Sequence, residues 1–461
     1  MTQPEHFELL VVAGGKGGKT LAMDLATAGR RVAMVERVPE MIGGTCINLA
    51  CIPTKTLIRS AEVAELVRRA PELGIDATLG ALAAPALRRR VGSVVHGMRA
   101  MNLDQFRASG MELVIGSARF VGPRRVEVRT ADGARVLEGE RAVIDLGTRP
   151  ALPDIPGLVD AAPLTSETLL DLRRIPSRLL IIGGSYVGVE LGQAMHRLGS
   201  HVTLIERGPQ LLGREDEDVA GAVADILGED GIEVVLGATV ERVGRGQDGS
   251  VRVSVDGGRE LIGDDVLAAL GRRPASDGID LEAAGVELDE HGFVRVDEHL
   301  RTTAPGTFAV GDITGGPQFT HVSLDDYRLV KANLDGGARS TAERLVPYCV
   351  FLDPELGRVG LTEREARRRG HDVRVAKLPA SAIPRAKTLD APRGLLKAVV
   401  DRGSDRILGA AILAAHGGEV IATVQVAMLG GLPSSALRDG ILAHPTMAEG
   451  LNQLFAAWTD P

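Results

Sequence analysis

The sequence predicts an α/β chain, with two βαβ units along its length and a separate α+β segment at the end. Three observations carry this expectation. Leu9-Leu-Val-Val12 enters a glycine-rich turn at 13–18, a helical stretch and Arg31-Val-Ala-Met-Val-Glu36, while Leu179-Leu-Ile-Ile182 enters a turn at 183–188, a helical stretch and His201-Val-Thr-Leu-Ile-Glu206. The two repeats are in register: Gly18 to Glu36 and Gly188 to Glu206 are each 18 residues. Beyond Val346 the pattern turns to alternating strands and helices, as in Leu396-Lys-Ala-Val-Val400 and Ile407-Leu-Gly-Ala-Ala-Ile-Leu413.

A strand, a glycine turn, a helix and a second strand ending in an acid form a Rossmann-like dinucleotide-binding unit. The turn lets the backbone approach a pyrophosphate, which the helix N-terminus meets with positive charge. The terminal acid accepts hydrogen bonds from a ribose, so Glu36 and Glu206 are expected to serve two different dinucleotides; the plainer reading is two strand-end carboxylates. Ala13 replaces the leading glycine of the first turn and Ser185 the middle glycine of the second. Gly18-Lys19-Thr20 imitates the end of an ATP-binding loop, but that loop's leading glycine is Ala13 here, and an ATPase is not expected.

Residues 60–115 are rich in Ala, Arg and Leu at helical spacing, and strand-like pieces follow near 112–148. Arg149-Pro-Ala-Leu-Pro-Asp-Ile-Pro156 marks one crossing between domains and Gly271-Arg-Arg-Pro274 a second. After the second crossing, strands lead to Phe308-Ala-Val-Gly-Asp312. The expected segments are 1–150, 151–270, 271–342 and 343–461, the first and third being two parts of one domain.

Gly43-Gly-Thr-Cys46-Ile-Asn-Leu-Ala-Cys51-Ile-Pro-Thr-Lys55 carries the reactive chemistry. The spacing suits a disulfide across or beside one helical turn, and thiols near a helix start or a cation react as thiolates. Two structural thiols, or half of a zinc site, are the alternatives; a zinc site needs two more ligands, and no Cys or His pair of suitable spacing supplies them. Cys349 is expected to be a buried small residue. His444-Pro-Thr-Met-Ala-Glu449 places a His and a Glu where they can form an imidazole–carboxylate pair that moves protons at a thiol.

The chain has 461 residues, enough for about three domains, and its 44% hydrophobic and 25% charged composition is that of a globular protein. With a net charge of −8 and no basic run interleaved with aromatics, nucleic acid is not an expected partner. No apolar stretch reaches the roughly 18 residues of a membrane span, Met1 to Glu8 lacks a secretory pattern, and three cysteines make no disulfide scaffold. A cytoplasmic location is expected.

Together these motifs resemble the pyridine nucleotide–disulfide oxidoreductases, which include dihydrolipoamide dehydrogenase, glutathione reductase and mercuric reductase. The likeness spans both βαβ units, GGTCxNxxCIPTK at 43–55, GRRP at 271–274, AVGD at 309–312, Val359-Gly-Leu-Thr-Glu363 and HPTMAE at 444–449. It implies an FAD domain in two parts (1–150 and 271–342), an NAD(P) domain (151–270) and a C-terminal dimerisation domain (343–461).

By the same resemblance, Cys46 is the thiol that meets the oxidant and Cys51 the thiol that faces the flavin. Lys55, paired with Glu190, lies near the flavin's reactive nitrogen. FAD rests against Gly15, Gly18, Glu36, Thr45, Lys55, Ala118, Gly147, Gly311 and Asp312, and the nicotinamide dinucleotide against Gly183, Tyr186, Gly188, Glu206, Val240 and Gly271. His444 and Glu449 act on the cysteines of a second subunit, so the homodimer is the active form. No resident metal is implied. An acid at Glu206 favours NADH over NADPH, with Arg207 and Arg214 nearby.

Gly15–Ala22, Phe319–Arg328, Ala382–Lys387 and Leu451–Phe455 are most similar to the reactive-chlorine-resistance branch of the family, described as copper(II) reductases. Mercuric reductases carry a C-terminal cysteine pair, whereas this sequence ends Ala457-Trp-Thr-Asp-Pro461. Asp145-Leu-Gly147 stands where the family has Ala-Thr-Gly. The expected function is reduction of a disulfide or metal-ion acceptor; the alternatives are dihydrolipoamide oxidation and a non-enzymatic redox sensor.

Overall fold

A computed structural model of the chain describes residues 3–171, 173–342 and 344–459; Asp460 and Pro461, the end of the C-terminal sequence quoted above, lie outside them. The chain groups into two compact units, one of residues 1–56, 86–151 and 271–344, the other of 57–85, 152–270 and 345–461.

The first unit is built on a seven-stranded sheet ordered Glu112–Ile115, Val32–Glu36, Glu5–Val12, Gly133–Ile144, Arg125–Thr130 and Ser117–Gly122, with Thr307–Ala309 also paired to Gly133–Ile144. Val12 pairs with both Val35 and Ile144 in parallel register, so these strands end together at the glycine turn. Parallel strands are covered on both faces, which is why they read as unbroken apolar runs. Strand alternation divides the coverage. Leu10, Val12, Ala33 and Val35 pack in one core, while Leu9, Val11, Val32 and Met34 pack in another with Leu21, Phe106 and Leu329 from three helices. Those helices are Lys16–Thr27, Ala84–Ser109 and Thr320–Leu334.

In the second unit, Glu233–Val235, His201–Ile205, Arg178–Ile182 and Asp265–Ala268 form a parallel four-stranded sheet. Val240–Arg245, Val251–Val255 and Arg259–Gly263 form an antiparallel three-stranded one. An antiparallel five-stranded sheet (Tyr348–Val350, Glu355–Gly360, Ile407–Ala414, Leu395–Asp401 and Val373–Pro379) carries the C-terminal core.

Length alone suggests about three domains, but ion pairs bind two of the expected segments into this unit. Lys397, 3% exposed, holds Asp216, Asp218 and Glu363 at 2.9–3.0 Å, and Arg358 meets Glu215 at 3.3 Å. Satisfying a buried ammonium with three carboxylates is a strong geometric tie, because releasing any one of them leaves charge in the interior.

Candidate active site

The two glycine turns solve the same problem in the same way. Glu36 Oε2 accepts the Gly14 amide at 3.1 Å and Oε1 the Arg37 amide at 2.8 Å; Glu206 Oε2 accepts Gly184 and Oε1 accepts Gly208, both at 2.7 Å. Each acid therefore clamps its turn to the end of its own second strand. Burial raises the Glu36 carboxyl above its ordinary range, against the two amides that lower it.

Ala13 sits at φ +70°, a left-handed conformation that costs an alanine on the order of 1 kcal/mol. Ser185, at φ −85°, is ordinary extended backbone, so this departure from glycine carries no strain. Gly188 is required by close approach, since a Cβ there would stand 1.9 Å from the Gly183 carbonyl oxygen.

Asp145 fills the floor of the first turn. Its Oδ2 accepts the Gly18 amide at 2.7 Å, and a Cβ on Gly15 would lie 2.4 Å from its Oδ1. Burial pushes this carboxyl well above the usual carboxylate range, reinforced by Asp326 and Asp312 and opposed by the Gly18 amide and Lys19. Ser323 Oγ accepts the Gly17 amide at 3.0 Å, and Gly44 approaches so closely that a Cβ there would be 2.9 Å from the Cα of Gly15. This bare backbone cradle fits a dinucleotide pyrophosphate, and burial disfavours the charged form of the Asp145 carboxyl beneath it.

The other positions expected at the first dinucleotide are distributed around the same unit. Thr45 Oγ1 accepts from Arg149 at 3.3 Å; Gly147 (φ +67°) offers its carbonyl to Ala275; Gly311 (φ +73°) donates to Asp326 at 2.7 Å. Asp312 accepts from Thr148 at 2.9 Å, and burial raises its carboxyl. Ala118 lies in the strand Ser117–Gly122, opposite Val128. Gly271, expected against the nicotinamide, falls in this unit, where its carbonyl takes the Ala151 amide at 2.9 Å.

Cys46 and Cys51 are adjacent, but not in one helix. Cys46 lies in the short helix Thr45–Asn48 and Cys51 opens the helix Cys51–Arg69, with Leu49 and Ala50 between. A thiol at a helix N-terminus feels the positive end of the dipole. The two sulfurs are not joined by a disulfide in this structure. The Cys51 side chain hydrogen bonds Cys46 and, with burial, pushes the Cys46 thiol up; Thr320 and Lys19 pull it down. Thr320, first residue of Thr320–Leu334, lies 3.7 Å from Cys51 Sγ. Lys55 is one turn along the helix from Cys51, half-buried.

In the second unit, Glu190 is 5% exposed and its Oε1 accepts the Phe351 amide at 2.9 Å. Tyr186 opens the helix Tyr186–Arg197, and its ring packs on Tyr348 with centroids 5.4 Å apart. The Tyr348 hydroxyl donates to Glu215, and burial, then Glu215, pushes the phenol far up. Val240 begins the strand Val240–Arg245, opposite Val255. His444 Nδ1 lies 2.8 Å from Glu449 Oε2, with His444 exposed and Glu449 11% exposed. Cys349, expected to be buried, is half-buried instead because it lies on the edge strand Tyr348–Val350.

Four residues escaped the sequence reading: Lys19, Asn102, Tyr348 and Glu215. Lys19 had a signal, a charged residue on the apolar face of the first helix, but its likeness to an ATP-binding loop masked it. No helix among the described residues is long and apolar enough to cross a membrane, and among them no cluster of three or more His, Cys, Asp or Glu is arranged to hold a metal ion.

Residues 7–326 match the pyridine nucleotide-disulphide oxidoreductase family and residues 346–455 its dimerisation domain. The chain is 40% identical to the probable pyridine nucleotide-disulfide oxidoreductase RclA of Escherichia coli, covering 98% of this chain and 99% of that one. It is 36% identical to a mercuric reductase of Lysinibacillus sphaericus (97% and 82% covered) and to a dihydrolipoyl dehydrogenase of Thermus scotoductus (96% of each). The solved structure of the Cu(II) complex of the HOCl-induced flavoprotein disulfide reductase RclA from Escherichia coli superposes with a TM-score of 0.90, at 40% identity and 98% and 99% coverage.

Proposed function

The chain belongs to the pyridine nucleotide-disulphide oxidoreductase family, and on that premise we propose that it passes electrons from NADH, through FAD, to the Cys46–Cys51 pair and on to a metal-ion or disulfide acceptor. The family's members are FAD-binding, NAD(P)H-dependent redox enzymes, and this chain is one of them. The observation that carries the proposal is the dithiol itself: Cys51 at a helix start, hydrogen bonded to Cys46, with Thr320 beside both.

Bound FAD supplies the two-electron link between the nicotinamide and the thiols. The protein's own residues do the rest. Glu36, Gly15, Gly18 and Asp312 hold the FAD side, while Gly183, Gly188 and Glu206 hold the nicotinamide dinucleotide. Glu206 accepts from a free ribose hydroxyl and repels a phosphate, which supports NADH. Tyr186, braced by Tyr348, covers the nicotinamide position. One NADH and one proton convert the disulfide to two thiols; the dithiol then gives two electrons and two protons to an acceptor disulfide, or reduces two Cu(II) to two Cu(I) with release of two protons. Lys55 and Glu190 serve the flavin side.

His444 and Glu449 serve the acceptor side on the partner's cysteines. Val426, Leu429 and Ile441 are exposed apolar side chains in the dimerisation domain, and a second copy would cover them. The matching Cu(II) complex favours a copper acceptor, and the Thermus relative favours dihydrolipoamide oxidation as the second reading. The cytoplasm supplies the reducing setting that such a dithiol needs.

An anaerobic panel of acceptors, with Cu(II), Hg(II), lipoamide and glutathione disulfide each assayed with NADH and NADPH, tests this reading. Cu(II) reduction with NADH that disappears in Cys46→Ser supports it; full Cu(II) turnover in that variant overturns it.

A further inference from the structure

Lys19 is 3% exposed, yet its ammonium lies in the interior of the first unit. It donates to the Gly43 carbonyl at 2.9 Å and to Asn102 Oδ1 at 2.7 Å, both neutral acceptors. Among the described residues, no carboxylate lies within ion-pair distance of it. Burying an ammonium without a counter-ion is costly, so a structural role alone would be met more cheaply by an apolar side chain of the same length. Its anchor is telling: Gly43 and Gly44, both in left-handed conformations (φ +94° and +84°), form the turn that delivers Thr45 and Cys46 to their helix. The ammonium therefore grips the segment that carries the proposed reactive thiol.

We propose that Lys19 is a positioning residue for Cys46: it fixes the Gly43–Gly44 turn and supplies the cation that stabilises the Cys46 thiolate. The inference rests on the reading of Cys46 as the thiol that meets the acceptor. The groups facing Lys19 are Lys16 on its own helix, Cys46 on the short helix, Asn102 on the long helix and Asp145 at the end of the central strand. Those facing Cys46 are Cys51, Thr320 and Lys19. Burial and then Lys16 lower the Lys19 ammonium to about 8, so its charge is present at neutral pH. Burial disfavours the charged form of the facing Asp145. The reduced pair gains from this charge and the disulfide does not, so Lys19 also raises the reduction potential of the couple.

The test is the pH dependence of Cys46 alkylation by iodoacetamide in the FAD-loaded Cys51→Ser protein, read by peptide mass spectrometry so that Cys349 is scored separately. Lys19→Met, neutral and nearly isosteric, should move the midpoint of the Cys46 profile up by about one pH unit and slow alkylation about tenfold at neutral pH. Asn102→Asp keeps the hydrogen bond but pairs the ammonium with a carboxylate, and should shift the profile in the same direction, so the idea stays testable if Lys19→Met does not fold. In the dithiol protein, Lys19→Met should lower the two-electron potential by about 30 mV, the equivalent of a tenfold change in equilibrium constant. Profiles that overlay the parent in folded variants overturn the role of Lys19. A parent protein whose Cys46 does not alkylate at any pH overturns the reading of Cys46 beneath it.

Discussion

Glu449 Oε2 stands 2.8 Å from Nδ1 of His444. A carboxylate only accepts, so Nδ1 is the donor in this contact. Glu449 is largely buried and His444 exposed, so the acid fixes one ring nitrogen while the ring stays open to solvent.

This geometry predicts a split between the two halves of the reaction. His444→Ala should slow turnover with a disulfide acceptor by about 10²–10³-fold, the range of a general acid–base residue. Reduction of the Cys46–Cys51 disulfide by NADH should keep its rate. Stopped-flow measurement of each half separates them, and equal loss in both would show that His444 acts through the fold.

Glu206 clamps the second turn through Oε2, which accepts the Gly184 amide, while Oε1 accepts the Gly208 amide just after its own strand, both at 2.7 Å. Glu206→Ser should raise KM for NADH about tenfold and narrow the gap to NADPH, with kcat nearly unchanged. Steady-state kinetics with both nicotinamides checks this; an unchanged preference would remove Glu206 from cofactor selection.

Gly188 leaves no room for a side chain. Gly188→Ala should destabilise the second unit by about 1–3 kcal/mol and weaken NADH binding, while flavin content stays at the parent level. Thermal melting and an NADH titration read the two effects, and unchanged melting would show that the turn can open.

Asp145 makes a pH-dependent contribution whose sign is fixed by burial. Burial raises its carboxyl well above the ordinary carboxylate range, so the folded state holds its proton longer than the unfolded state. The stability it contributes is full below about pH 4 and is lost as pH rises through the folded value. Asp145→Asn keeps an acceptor for the Gly18 amide without that liability. The ratio of parent to variant stability, followed by denaturant midpoints, should fall as pH rises from about 4 toward neutral; a flat ratio would contradict the raised carboxyl.

What could be read from the sequence was local. The glycine turns announce themselves because Glu36 and Glu206 bind amides 22 residues away within one βαβ unit. The pair His444–Glu449 is five residues apart and Cys46 and Cys51 share one motif. Contacts made by chain crossing left no trace of this kind. Asp145 meets Gly18 across 127 positions, Lys19 meets Asn102 across 83, and Tyr348 meets Glu215 across 133. Asp145 registered only as a departure from a family pattern, with its partner invisible. The break at Leu49–Ala50, which puts the two cysteines on separate helices, is likewise a tertiary choice, because no Pro or Gly between Cys46 and Cys51 demands it.

The central claim is that Cys46 and Cys51 are the electron-carrying pair, and a thiol count tests it most directly. The oxidised, FAD-loaded protein is titrated anaerobically with NADH, alkylated and read by peptide mass spectrometry. One equivalent of NADH should expose two new thiols, at Cys46 and Cys51, with labelling of Cys349 unchanged. NADH consumed while Cys46 and Cys51 stay unlabelled, or with their labelling independent of NADH, would contradict the account.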